Sequence, residues 1–225
     1  MTDHIEFSVE DDVLENLLVS PKDIAAEVVA ETTPNPRLIV EIGAFQGELL
    51  EAFLTRFDRA RGQWTDAGDS TLPVAKRRLG QFADRVTFVI GAAGRDMTDG
   101  SVPHDADVLI SSWVTAHRGK QGMVDFYAAA HEYTAPGGVL VVLDHARYED
   151  DDWETRIQAV RSHFQPRPAG PPPHSGEPIV TLAEHFSAIA AAGFSSVQAV
   201  WRSLDSVLLV AVRAARPANA VVDAR

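Results

Sequence analysis

The stretch RLIVEIGAFQGELLEAFL, residues 37 to 54, decides the fold. An apolar run ends at Glu41, and Gly43 and Gly47 then frame Ala44, Phe45 and Gln46. Beyond Gly47, Leu50, Phe53, Leu54 and Phe57 recur at the spacing of one helix face. The order is strand, tight glycine turn, helix. In open parallel sheets, ligands gather beyond the carboxyl ends of the strands, near the point where the strand order reverses. Gly43 permits the tight turn, and Gly47 lets the helix begin close to the strand. Amides at the start of that helix favour an anionic group such as a carboxylate or phosphate. Glu41 stands at the strand's end, aimed at the site. A dinucleotide fingerprint needs a second glycine two positions after the first. Phe45 stands there, which argues against NAD and FAD. The plain alternative is a strand–helix turn that binds nothing.

Outward from this stretch, short apolar runs alternate with helical patterns. A second strand ends near Trp64-Thr65 with Asp66, where a carboxylate can accept hydrogen bonds from both hydroxyls of a ribose. Asp69 competes for that role, and "DAGDS" also has the composition of a simple turn. "RVTFVIG" at 85 to 91, "ADVLISS" at 106 to 112 and "GVLVVLD" at 138 to 144 read as strands. "MVDFYAAAHEYTA" at 123 to 135 reads as a helix stopped by Pro136-Gly137-Gly138. Thr181 and Glu184 have capping-box spacing, with Leu182, Phe186 and Ile189 as one stripe and Gly193 as the stop. "SSVQAVWR" and "SVLLVAVR", separated by "SLD", read as a hairpin.

The expected fold is α/β: a doubly wound, mostly parallel seven-stranded sheet with helices on both faces and a C-terminal antiparallel hairpin. Residues 1–36 are expected to form a helical cap, with Ser20-Pro21 opening a helix and "TTPNP" ending the segment. Residues 37–213 form the main domain and 214–225 a flexible tail. Within the main domain, 146–178 is expected to act as a lid, its second half being the proline-rich "FQPRPAGPPPHSGEP".

Bulk properties narrow the function. A chain of 225 residues suits one domain with a sizeable core. The net charge of -12 argues against nucleic acid as a main partner, since the best basic patch is the short "KRR" at 76 to 78. The absence of cysteine excludes disulfides, zinc knuckles, iron–sulfur clusters and thiol nucleophiles. The longest apolar run, "VLVVL" at 139 to 143, is too short to span a bilayer, and "MTDHIEFSVEDD" is no targeting peptide. The expectation is a cytoplasmic protein with no membrane partner; a homodimer is the one assembly left open.

The order of elements resembles the class I S-adenosylmethionine (SAM) dependent methyltransferases of small-molecule type, over about residues 37 to 213. "VEIGAFQG" is similar to the family's first motif, in which an acid and glycines cradle the methionine part of SAM. Some O-methyltransferases carry an aromatic where Phe45 stands, and SAM has no pyrophosphate to accommodate. Asp66 followed by "AKRRL" resembles the ribose-binding acid and its helix. "VTFVIGAA" resembles the third motif, "ADVLISSWVTAH" the fourth strand with its loop, and "TAPGGVLVVLD" the turn and fifth strand. "LAEHFSAIAAAGFSSVQAVW" resembles the late helix, its turn and the sixth strand. The resemblance implies cofactor contacts from Glu41, Gly43, Ala44, Phe45, Gly47, Asp66, Ala67, Ala92, Ala93, Ser111 and Ser112. Ala92 departs from the family, which often has an aspartate there for the adenine; a backbone group or nearby Asp96 is the expected substitute.

The implied activity is methyl transfer to a small-molecule acceptor, with oxygen favoured over nitrogen or carbon. The alternative is a methyltransferase fold without transfer: a SAM-binding scaffold, a cyclase or a partner subunit. His117 and His145, at the carboxyl edge of the sheet, are the candidate bases. Trp113, Tyr148 and Trp153 are candidates to line the acceptor pocket. Asp144 and His145 would suit a divalent metal, but no third ligand is apparent, so no metal is expected.

Overall fold

The computed structural model describes residues 19–91, 100–164 and 179–216, with backbone alone at His117 and Phe164. Seven strands form one sheet: β1 (Leu38–Ile42), β2 (Arg61–Asp66), β3 (Val86–Ile90), β4 (Ala106–Ser112), β5 (Thr134–His145), β6 (Ser196–Ser203) and β7 (Ser206–Val212). Their order is β3-β2-β1-β4-β5-β7-β6. The first five strands are parallel, and β7 lies antiparallel between β5 and β6. The chain leaves β1 for β2 and β3 on one side, then returns to β4 on the other. The switch point therefore falls between the carboxyl ends of β1 and β4.

Among the described residues, six α-helices cover the sheet: α1 (Pro21–Thr32), α2 (Glu48–Arg56), α3 (Leu72–Arg78), α4 (Gly119–Tyr133), α5 (Asp151–Phe164) and α6 (Leu182–Ala191). Strand alternation sorts the core into two layers. Ile39, Ile110 and Val141 face α1, α2 and α3 through Val29, Phe53 and Ala75. Val40, Leu109 and Val142 face α4 and α6 through Phe126, Tyr127 and Ile189. Burial on both faces explains why the central strands are nearly continuous apolar runs.

The expected helices and strands are present. Ser20 caps α1, its hydroxyl accepting from the Lys22 amide at 3.2 Å, and Thr181 with Glu184 closes both arms of a capping box on α6. Of the expected cap at 1–36, residues 1–18 lie outside the described residues; α1 packs on α2 as part of the main core.

One boundary differs from the sequence reading. Helix α4 starts at Gly119 and ends at Tyr133, and β5 begins at Thr134, so Pro136-Gly137-Gly138 lies inside the strand. Thr134 pairs with Ala106, and a register shift before Val108 absorbs the extra residues. Glycine is needed there because a Cβ on Gly138 would lie 2.8 Å from the carbonyl oxygens of Ala135 and Asp107.

Candidate functional site

The turn after β1 is wound through positive φ at Gly43 (65°), Phe45 (44°) and Gly47 (76°). Phe45 has no glycine's freedom, so its backbone must be held against strain. Three contacts hold it. The Phe45 amide donates to Asp66 Oδ2 at 2.9 Å, its carbonyl accepts from Trp64 Nε1 at 3.0 Å, and the Ala44 amide donates to the Thr65 carbonyl at 3.0 Å. The Phe45 ring is left 59% exposed at the sheet edge.

The two glycines are needed for space as well. A Cβ on Gly47 would lie 2.9 Å from Leu79 Cδ1 and 3.4 Å from Trp64 Cδ1, so the start of α2 rests directly on β2 and the turn after α3. A Cβ on Gly43 would run into Val114 Cγ2, in the loop after β4.

Glu41 is fully buried at the end of β1. Its Oε2 accepts from the Leu50 amide at 3.2 Å, and its Oε1 has no hydrogen-bond partner among the described residues. Burial pushes its carboxyl up to about 8, against the opposing Leu50 hydrogen bond and the charge of Lys22. Ser111, opposite Ile42 in the β1–β4 ladder, is also buried, its hydroxyl without a partner among the described residues. Two unsatisfied buried polar atoms thus flank the switch point. Asp66, at the end of β2, uses Oδ2 on Phe45 and Oδ1 on the Gly68 amide at 3.2 Å. Each oxygen retains a lone pair. Asp69, by contrast, is exposed ahead of α3. Ala67 is exposed beside Asp66, and Ser112 is half-buried at the end of β4.

Between β4 and β5 the organiser is Asp144, fully buried. Its Oδ2 accepts from the Thr115 amide and hydroxyl, both at 2.7 Å, while Oδ1 accepts from the amides of His145 at 2.8 Å and Ala116 at 3.2 Å. The carboxylate is a brace for the turn Thr115–His117, which removes it from metal binding. Among the described residues, no group of three histidine and acidic side chains could hold a metal ion.

His145 is half-buried, with its ring 4.4 Å from that of Trp113 at 34°. Its Nδ1 lies 3.3 Å from Asp205 Oδ2, at ion-pair distance but without full hydrogen-bond alignment. Asp205, in the β6–β7 turn, also pairs with Arg161 of α5. Burial raises the Asp205 carboxyl, but contact with His145 and the Arg161 charge outweigh it and leave it below its ordinary range. His185 lies behind, fully buried, its Nε2 donating to the His145 carbonyl at 3.2 Å and its Nδ1 accepting from the Tyr127 hydroxyl at 2.6 Å. Burial lowers the His185 imidazole, so it is a neutral structural link.

Tyr148 and Trp153 lie on one cleft. With Arg147, Leu182, Phe186 and Arg202 they line a cleft of about 410 Å³. The Arg202 guanidinium lies 3.8 Å over the Tyr148 ring, and Trp153 is 57% exposed. Trp113 is not in this lining; it stacks on His145 instead. The cleft stands beyond β5, toward the β6 edge.

The remaining candidates fall elsewhere. Ala92, Ala93 and Asp96 lie outside the described residues, as do the His117 side chain and positions 165–178 of the expected lid. The "KRR" run is largely committed: Arg78 pairs with Glu48 and Glu51, and Lys76 lies 5.8 Å over Phe88. Sequence reading missed Asp205, Arg161, His185 and Tyr127. A histidine within the α6 apolar stripe was the available signal for His185. "SLD" gave none for Asp205, because hairpin-turn aspartates are ordinarily solvated.

No protein-family model matches this sequence, and no curated protein matches it. Solved structures do. An O-methyltransferase family protein from Burkholderia thailandensis superposes with a TM-score of 0.68 at 19% identity, over 92% of this chain and 60% of its own. Human N-acetylserotonin methyltransferase in complex with SAM gives 0.64 at 15% identity, over 91% of this chain and 54% of its own. SAM-bound CalS10, an amino pentose methyltransferase from Micromonospora echinaspora, gives 0.60 at 19% identity, over 95% of this chain and 100% of its own. The chain thus has the methyltransferase Rossmann-like fold, and spans about 60% of the length of the Burkholderia protein. No helix among the described residues is long and apolar enough to cross a membrane.

Proposed function

We propose that this chain is a SAM-dependent methyltransferase domain acting on a small-molecule acceptor, with transfer to oxygen favoured. One observation carries the reading: the glycine turn at the switch point is tied through the Phe45 amide to Asp66, with the unpartnered Glu41 Oε1 and Ser111 Oγ beside it. A ligand with an amino-acid end and a ribose matches that set of polar groups. Glu41, Gly43, Ala44, Phe45 and Gly47 would hold the amino-acid end, Asp66 and Ala67 the ribose, and Ser111 and Ser112 the β4 side. Ala92 and Ala93 would meet the adenine. When bound, SAM supplies a methyl group already made electrophilic by its sulfonium.

The chain's own residues then have two tasks. They hold the acceptor in line, and they accept its proton where the acceptor is a hydroxyl. His145 at the end of β5 is the base we favour, with His117 after β4 the other. The cleft at Tyr148 and Trp153 is the acceptor pocket in this reading, and a cytoplasmic setting goes with it. A homodimer is compatible with it.

The second reading is a SAM-binding protein without transfer. Its support is that the favoured base, His145, is not among the residues lining the cleft at Tyr148 and Trp153. Calorimetry with SAM, S-adenosylhomocysteine and NAD tests both. We expect binding of the first two and none of NAD; failure to bind SAM overturns both readings. A screen of phenols and other hydroxylated acceptors with methyl-labelled SAM then separates them, because label transfer supports the first and refutes the second.

A further inference from the structure

We propose that Asp205, in the β6–β7 turn, is the positioning residue of His145: it holds the imidazole as the Nδ1–H tautomer, so that Nε2 presents a lone pair at the sheet edge. The inference deepens the methyltransferase reading and rests on it only for the identity of the proton donor. The tautomer itself belongs to the unliganded chain.

His145 is constrained on every side. Its amide donates to Asp144 Oδ1 at 2.8 Å, and its carbonyl accepts from His185 Nε2 at 3.2 Å. The next amide, of Ala146, donates to the Asp205 carbonyl at 2.7 Å. Ladder pairing places His145 opposite Ser206, next to Asp205. Trp113 covers the ring, itself held at φ 60° by its position after β4, with its amide donating to the Leu143 carbonyl at 2.8 Å. The backbone and ring plane therefore leave the imidazole little freedom.

Within that frame, Nδ1 is buried and meets no hydrogen-bond partner of good geometry among the described residues; Asp205 Oδ2 lies 3.3 Å away. A buried imidazole nitrogen beside an ionised carboxylate is stabilised when it carries the proton. Asp205 is 3% exposed, and Arg161 reaches it from α5, so it keeps its charge and its position. Arg161 and Trp153 share α5, which connects the orienting carboxylate to the wall of the acceptor cleft. With Nδ1–H fixed, the acceptor's O–H bond breaks as its proton passes to Nε2. The oxygen's electron pair would then take the methyl carbon that bound SAM supplies, the carbon–sulfur pair leaving with sulfur. The imidazolium so formed is compensated by Asp205.

The test is nitrogen-15 NMR of histidine side chains in the unliganded protein at pH 9, with the His145 signals identified by their loss in His145→Gln. We expect His145 as Nδ1–H by tenfold or more over Nε2–H. In Asp205→Asn, with a melting curve as folding control, the ratio should fall at least tenfold. A wild-type His145 in the Nε2–H form overturns the proposal, and so does an Asn variant with an unchanged ratio. If the variant does not fold, the wild-type tautomer still decides. Failure to bind SAM would sink the proposed function and leave this result standing; the wrong tautomer would do the reverse.

Discussion

The Phe45 amide donates to Asp66 Oδ2 over 2.9 Å, joining the turn after β1 to the end of β2. One carboxylate therefore fixes the strained turn and, in the proposed function, holds the ribose. Asp66→Ala should weaken SAM binding by tenfold or more, while Asp69→Ala, at an exposed position, should change it less than threefold. Calorimetry reads both. The reverse order would move the ribose site to Asp69.

Gly47→Val should destabilise the fold as well as block the cofactor. The new side chain would meet Leu79 and Trp64, and valine would be forced to φ 76°. Strain and overpacking together cost on the order of 3 kcal/mol. Urea denaturation measures this. A variant as stable as the parent would mean that the turn relaxes freely.

Glu41 makes stability depend on pH with an unusual sign. Its carboxyl is raised from 4.5 to about 8, so between these values the native chain keeps a proton that the unfolded chain has lost. Stability from this group is full below the unfolded value and falls as pH rises through that window, by on the order of 5 kcal/mol in all. Glu41→Gln, which cannot titrate, should be spared this loss. Urea unfolding at pH 5, 7 and 8.5 should show the variant gaining on the parent at each step. Parallel pH profiles would refute a buried, protonated Glu41.

Asp144→Ala should be among the most damaging substitutions at the carboxyl end of β5. It would leave the amides of Thr115, Ala116 and His145 without their acceptor, at a cost on the order of 3 kcal/mol. Asp144→Asn, which keeps one acceptor oxygen, should lose less. Thermal unfolding orders the two. Equal loss would mean that charge, rather than the number of acceptors, holds the turn.

Periodicity and turn chemistry were enough to place nearly every element. Alternating apolar runs gave the strands, Thr181 with Glu184 gave the start of α6, and Pro21 gave the start of α1, because each signal is local and physical. The end of α4 was misread for an equally local reason. Pro136-Gly137-Gly138 looks like a stop, yet a register shift against Ala106 lets a strand absorb it, and only the neighbouring strand decides that.

At the site, the sequence by itself determined the residues whose chemistry depends on their own backbone: Gly43 and Gly47 at positive φ, Glu41 closing an apolar strand, Asp66 at a strand's end. Tertiary structure alone decided which of these are buried, paired or left unpartnered. Asp144 looks like a metal ligand in sequence, and four donors from its neighbourhood make it a brace. Asp205 looks like a solvated turn residue, 60 positions from His145, and antiparallel pairing of β5 with β7 sets it beside the imidazole. Backbone preference is written within a few residues of chain, whereas burial and charge pairing depend on partners that only the closed sheet brings together.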